Sequence, residues 1–305
     1  MIKVIMYHYV REFCEQQPNL NFLHIDDFCK QLDFFQENGG VLTREGWSNF
    51  INGDQSVSGF LLTFDDGFVD HYKYVYPELK KRGLLGVFYV NSKPILDEEF
   101  CDVHAIHYLL SAIDHNLIFK YLVKNHNLMV EQRYSDGTYS KQISNQYEIE
   151  CKRFLNYQLT EITRGRVLLD LFEHFKIDIK EALSNVYLTP EQVKEMHDGG
   201  MLIGAHAHSH NLMGKMPYAQ QKLEVEKSTS LMKKLTGLDS VSFCFPYGGV
   251  DSYNNETLEI LREIEVPYAF VVNSADLKSS HLIDSCYELP RFDCNEFKHG
   301  SRYEP

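Results

Sequence analysis

The chain has 305 residues, 44% of them apolar and 24% charged, the proportions of an ordinary folded protein with length for one large barrel or two domains of ~150 residues. Thirty Lys and Arg against 43 Asp and Glu give a net charge of −13, which repels polyphosphate. No local basic patch offsets it, so nucleic acid is not an expected partner.

The run Lys3-Val4-Ile5-Met6-Tyr7 is short, apolar and β-prone, and predicts a buried strand that delivers His8 at its carboxyl end. From Ile25 to Asn38 apolar residues recur at helical spacing until Gly39-Gly40 stop the pattern. Gly59 to Phe64 predicts a second buried strand ending at Asp65-Asp66-Gly67, followed by a helix from Tyr74 to Arg82 and a third strand, Gly86 to Val90. Between about residues 95 and 185 the chain turns helical, with His104 to Leu110 and Arg166 to Phe172 separated by the polar stretch Gln132 to Ser144. This predicts an inserted helical subdomain or lid. The α/β rhythm resumes with the capping box Thr189-Pro190-Glu191-Gln192, whose helix is stopped by Gly199-Gly200. Strand Met201 to Ala205, helix Tyr218 to Thr236, strand Val241 to Phe245, helix Glu256 to Ile264 and strand Tyr268 to Val272 complete the series. Buried strands alternating with amphipathic helices indicate α/β construction on a parallel sheet.

No uncharged apolar run approaches the ~18 residues of a membrane span, and the opening ten residues lack the features of an export signal. The seven cysteines are scattered and form no C-x-x-C pair, which is the usage of reduced thiols. A cytoplasmic, or membrane-apposed, protein without a transmembrane segment is therefore expected.

Two clusters carry chemistry, each just past the carboxyl end of a predicted strand, where α/β proteins gather ligands and catalytic groups. Taken alone, Asp65-Asp66-Gly67 is an ordinary turn. The second cluster, His206-Ala207-His208-Ser209-His210, changes its weight, because two His four apart can converge on one ion and imidazole with carboxylate suits zinc or a similar divalent metal. Three ligands with an open position describe a catalytic site; a closed structural site would want a fourth, commonly Cys, and none lies near either cluster. His104 and His107, at i and i+3, could ligate a second metal, although packing is the commoner use of that pattern. Trp47, the only tryptophan, reads as a packed core aromatic before a sugar-stacking one.

Together these residues resemble the metal-dependent polysaccharide deacetylases of carbohydrate esterase family 4. In that family a strand ends in T-F-D-D-G, and Thr63 to Gly67 match it in full. The later H-S/T-x-x-H motif is matched at His206 and His210, with Ala207 in place of the usual hydroxyl residue. The resemblance implies that Asp65 is the general base and that Asp66, His206 and His210 hold one divalent metal ion, zinc or another transition metal. His208 becomes a bystander or a supporting group. The third motif lacks its usual Arg and reads Ser242-Phe243-Cys244-Phe245-Pro246-Tyr247, a form similar to the poly-N-acetylglucosamine deacetylase branch. There the Tyr247 amide would help stabilise the oxyanion and Arg291 would orient Asp65. The late Leu-x-His motif is absent, and in that branch the general acid comes instead from an N-terminal strand ending in Tyr-His, here Tyr7-His8.

The implied fold is a distorted (β/α) barrel of about seven parallel strands in a single domain over residues 1–305, with residues 95–185 inserted as a helical lid or a homo-oligomer contact. The implied activity is de-N-acetylation of a sugar in a surface polysaccharide, oligosaccharide or nucleotide- or lipid-linked precursor. Hydrolysis of another amide or an O-acetyl ester remains open, as does a non-catalytic carbohydrate-binding protein with a vestigial site.

Overall fold

Seven strands pair in parallel throughout and close on themselves in the computed structural model, which describes residues 1–129, 145–249 and 252–302. The strands of the chain are β1 (Ile2–Tyr7), β2 (Val10–Arg11), β3 (Leu23–His24), β4 (Gly59–Phe64), β5 (Gly86–Val90), β6 (Leu202–Ala205), β7 (Phe243–Cys244), β8 (Ala269–Val272) and β9 (Leu289–Asp293). The barrel runs β1-β4-β5-β6-β7-β8-β9, with β9 returning to β1 through Ile5↔Phe292 and Met6↔Asp293. β2 and β3 form a separate two-residue pair.

Strand alternation divides the apolar residues into two clusters. Val4, Leu61, Val87, Tyr89, Cys244 and Phe270 belong to one. Ile5, Tyr7, Leu62, Phe64, Phe88 and Val90 belong to the other, with helix residues such as Leu32, Phe35, Leu79, Val193 and Met196. Strands buried on both faces are what a parallel sheet covered by helices requires, and they explain why the strands read as continuous apolar runs. Trp47 lies on helix Arg44–Ile51, buried, with its indole N–H donating to the Tyr268 hydroxyl at 3.0 Å. It is a core residue.

The predicted barrel elements recur, and two of the differences bear on the site. The helix expected from Tyr74 begins earlier, as a π-type turn His71–Val75 leading into α-helix Tyr76–Arg82. Strand β9 was not expected as a strand, because Pro290 interrupts its pattern. It pairs nonetheless with β8 through Phe270↔Leu289, Val271↔Pro290 and Val272↔Arg291.

The chain divides into two compact units. The first comprises Met1–Glu12, Phe22–Glu99 and Asn185–Pro305 and contains the barrel; the second comprises Phe13–Asn21 and Phe100–Ser184. The second unit is helical, with helices Asp102–Ala112, His115–His126, Gln146–Arg153, Glu161–His174 and Ile179–Leu183. Arg164 Nε donates to Asp102 at 2.7 Å, and Glu148 and Lys152 form a buried ion pair. His104 and His107 share helix Asp102–Ala112, with ring centroids 6.0 Å apart. The stretch Gln132 to Ser144 lies outside the described residues.

Candidate active site

Parallel register brings the chemistry-bearing residues to one end of the barrel. Tyr7 pairs with Phe64, so His8 and Asp65 are the next residues on adjacent strands, and the Asp65 N–H donates to Tyr7 O at 2.9 Å. Val90 pairs with Ala205, and the His206 N–H donates to Val90 O at 3.1 Å. Every one of these positions lies at the carboxyl end of its strand, the end at which barrel enzymes place their sites.

Asp65 and Arg291 form a buried two-point ion pair. Nη1 donates to Oδ1 at 2.8 Å and Nη2 to Oδ2 at 2.7 Å, with exposures of 1% for Asp65 and 0% for Arg291. Thr63 Oγ1 accepts from Nη1 at 3.1 Å and donates to Ile5 O at 2.8 Å, and Cys244 Sγ lies 2.9 Å from Nη2. Burial alone would raise the Asp65 pKa, but the Arg291 charge, then His206, the Arg291 hydrogen bonds and His8 outweigh it and hold the carboxyl at about 2. Asp65 is thus an oriented carboxylate, ionised at neutral pH. An ionised carboxylate has about four lone-pair sites, so both oxygens can still accept a proton-bearing group while paired with the guanidinium.

Asp66 sits beside this pair in a different environment. Its Oδ1 lies 3.4 Å from His206 Nε2 and 3.1 Å from His210 Nε2, and all three side chains are buried. Donor atoms each roughly 2.0–2.1 Å from a tetrahedral ion stand about 3.3 Å apart, so both the spacing and the mixed nitrogen and oxygen donor set fit a divalent metal. His206 Nδ1 is 2.9 Å from Cys244 O, and donation to that carbonyl leaves Nε2 as the acceptor that faces Asp66. Burial pushes the His206 pKa down, but Cys244, Asp65 and Asp66 together raise it well above the ordinary value. A proton therefore competes with a metal for this ring. Asp65, His206 and Cys244 also bring ligand atoms within 4.8 Å of one another. That set is the poorer one, because both Asp65 oxygens and the Cys244 sulfur are already engaged by Arg291.

Backbone strain concentrates at the same place. Asp66 has φ 77°, Ala207 φ 57°, His210 φ 58° and Tyr247 φ 63°, left-handed conformations that non-glycine residues hold only when their surroundings fix them. Gly67 shares this turn at φ 65°, where an added Cβ would come within 2.8 Å of Val90 Cγ1.

The remaining expected site residues have definite places. His8 follows β1, half-buried, near enough for its charge to bear on Asp65 and on His71. Tyr247 follows β7, its ring edge-on to His210 with centroids 4.9 Å apart. His208 points elsewhere than the triad, with Nδ1 2.9 Å from Ser92 Oγ and Nε2 3.0 Å from Asp97 Oδ2. Residues that sequence reasoning passed over also bear on the site. His71 Nε2 donates to His8 O at 2.8 Å, Cys244 touches both Asp65 and Arg291, and Asn91 Nδ2 donates to His206 O. His71 and Asn91 belong to no local motif, and Cys244, although it lies within the third one, shows its contact with Asp65 and Arg291 only through tertiary pairing.

A family model described as polysaccharide deacetylase matches residues 52–269. The fold is similar to that of the Streptococcus pyogenes deacetylase PplD, solved in complex with acetate, at TM-score 0.59 and 17% identity over 96% of this chain and 91% of that one. IcaB from Ammonifex degensii is similar at TM-score 0.56 and 17% identity, over 95% of this chain and 90% of that one. The BpsB deacetylase domain from Bordetella bronchiseptica is similar at TM-score 0.54 and 13% identity, over 96% and 95%. At these identities the structural likeness is one of fold. No curated protein matches the chain.

Proposed function

The chain belongs to the polysaccharide deacetylase family, and from that premise we propose that it hydrolyses the acetamide of an N-acetylated sugar, using a divalent ion held by Asp66, His206 and His210. The observation that carries this reading is the placement of two adjacent carboxylates in separate roles at one barrel rim. Asp65 is locked to Arg291, and Asp66 faces two imidazole Nε2 atoms at 3.1 and 3.4 Å.

Asp66, His206 and His210 would hold the divalent ion, which when bound would supply Lewis acidity to acidify water and polarise an acyl oxygen. Asp65 accepts the proton of the attacking water, and Arg291 keeps both carboxylate oxygens in place for that transfer. The same pairing makes Asp65 a weak base, so its contribution is orientation and fixed negative charge more than proton affinity. The Tyr247 backbone N–H takes up charge on the carbonyl oxygen as the carbon becomes tetrahedral. His8 protonates the departing nitrogen as the C–N bond breaks, giving acetate and a free amino sugar. The substrate is a surface polysaccharide, an oligosaccharide or a nucleotide- or lipid-linked precursor, and zinc suits the donor set.

The test is acetate release from a panel of N-acetylated oligomeric, nucleotide-linked and lipid-linked sugars, with O-acetylated sugars in parallel and with chelator and metal add-back. Acetate from the N-acetyl panel that disappears with chelator and returns with metal is the expected result. Release only from O-acetyl sugars would identify an esterase, and absence of both release and metal uptake would favour a carbohydrate-binding protein.

A further inference from the structure

The loop that carries both ligand histidines, residues 206–211, is held by a carboxylate to which the mechanism gives no part. Glu224, buried on helix Tyr218–Thr236, accepts on Oε2 the backbone N–H groups of His208 at 2.9 Å and Ser209 at 2.8 Å, and on Oε1 the Ser209 hydroxyl at 2.7 Å. Asn211 Nδ2 donates to that same hydroxyl at 2.8 Å. Segment 91–93 grips the loop as well: Lys93 N–H donates to His208 O at 2.9 Å and Ser92 N–H to Ala207 O at 3.3 Å. The His208 ring is occupied by Ser92, by Asp97 and by Lys227, whose Nζ lies 3.1 Å from Nε2.

The loop needs external support. Ala207 and His210 both adopt left-handed backbone conformations, which persist only where neighbours over-determine them. A Ser or Thr hydroxyl at position 207 could bond to the loop's own backbone, but Ala207 has none. Three hydrogen bonds from loop donors to one buried, ionisable acceptor are of the strong, charge-assisted kind. We propose that Glu224 is a positioning residue that fixes the backbone at 208–209 and thereby keeps His206 and His210 at ligand spacing. The inference rests on the reading that Asp66, His206 and His210 hold a divalent ion.

The experiment measures Zn²⁺ affinity by competition with a chromogenic chelator, and the visible absorption of the Co²⁺ form, for the wild type, Glu224→Gln, Glu224→Ala and Ser209→Ala. Melting of each metal-free protein is recorded alongside. Glu224→Ala is expected to bind Zn²⁺ about 10–100-fold more weakly with a changed Co²⁺ spectrum, the usual cost of losing a group that orients a ligand. Glu224→Gln, whose amide oxygen can still accept, should lose less, and Ser209→Ala should fall between Gln and the wild type or alongside Gln. Unchanged affinity and spectrum in a folded Glu224→Ala, with only its melting temperature lowered, would overturn the proposal. Should Glu224→Ala not fold, unchanged affinity in both other variants overturns it equally. A wild type that takes up neither ion would overturn the metal reading itself, and this inference with it.

Discussion

Asp65 and Asp66 are neighbours in the chain, yet one faces a guanidinium and the other faces two imidazoles. The division depends on Arg291, and its removal separates two effects. Arg291→Met leaves Asp65 buried without its counter-charge, and a loss of about 3–5 kcal/mol in unfolding free energy is expected in denaturant titration. Arg291→Lys keeps the charge but not the two-point fork, so turnover should fall much more than stability does. Equal stability of Arg291→Met and the wild type would contradict the picture of a buried, paired carboxylate. At this scale the sequence was readable where chemistry is local. The T-F-D-D-G run and the paired histidines announce themselves, while Cys244, His71 and Glu224 act through partners 47, 63 and 15–16 positions away. Their roles are properties of the closed barrel, and a linear pattern does not hold them.

The elements themselves were legible for the same reason that the barrel is stable. Strands buried on both faces read as unbroken apolar runs, and helices announced their ends with Thr189 and Gln192 in a capping box or with Gly237 in a left-handed cap at φ 73°. β9 escaped notice because proline normally disqualifies a strand; here Pro290 pairs with Val271 of β8, beside the residue that matters most, Arg291. β6 offers the sharpest test of how the elements set the site. An added Cβ on Gly204 would lie 2.3 Å from Tyr89 Cε1 and 2.9 Å from Ser242 O, two residues before the ligand His206. Gly204→Ala must therefore displace β6 or the Tyr89 ring. A stability loss of about 1–3 kcal/mol, with weakened metal uptake, is expected from thermal melts and chelator competition. A variant with native melting and native metal affinity would show that the strand end tolerates movement.

For the whole molecule, a net charge of −13 and a buried, largely uncharged barrel make acid the revealing condition. His71 is enclosed by Phe64, Phe68 and Phe88, with ring centroids 5.7 to 5.9 Å away. Burial lowers its pKa to about 4 against the opposing pull of the His8 carbonyl bond and the charges of Asp66 and Asp65, while His8 adds to the lowering. The unfolded chain binds this proton more readily than the folded one does. The stability that neutral His71 contributes is therefore complete above its ordinary pKa of 6.5 and is lost as pH falls through about 4. The loss is on the order of 3 kcal/mol. Urea unfolding at pH 7 and pH 4 should show a smaller pH-dependent loss in His71→Gln than in the wild type, and identical losses would contradict the assignment. Among the described residues no helix is long and apolar enough to cross a membrane. The change of rhythm near residue 95 falls close to Phe100, where the longer segment of the helical unit begins. That unit also takes in Phe13–Asn21, a short stretch that no feature of the sequence marks.

The central claim is that Asp65 moves the proton while Asp66, His206 and His210 hold the ion. The direct test measures acetate release and bound metal on the same samples of Asp65→Asn and His206→Ala. Asp65→Asn should retain metal and lose turnover by about 10²–10⁴-fold, whereas His206→Ala should lose both. Wild-type turnover in Asp65→Asn, or full metal occupancy in His206→Ala, would contradict the account.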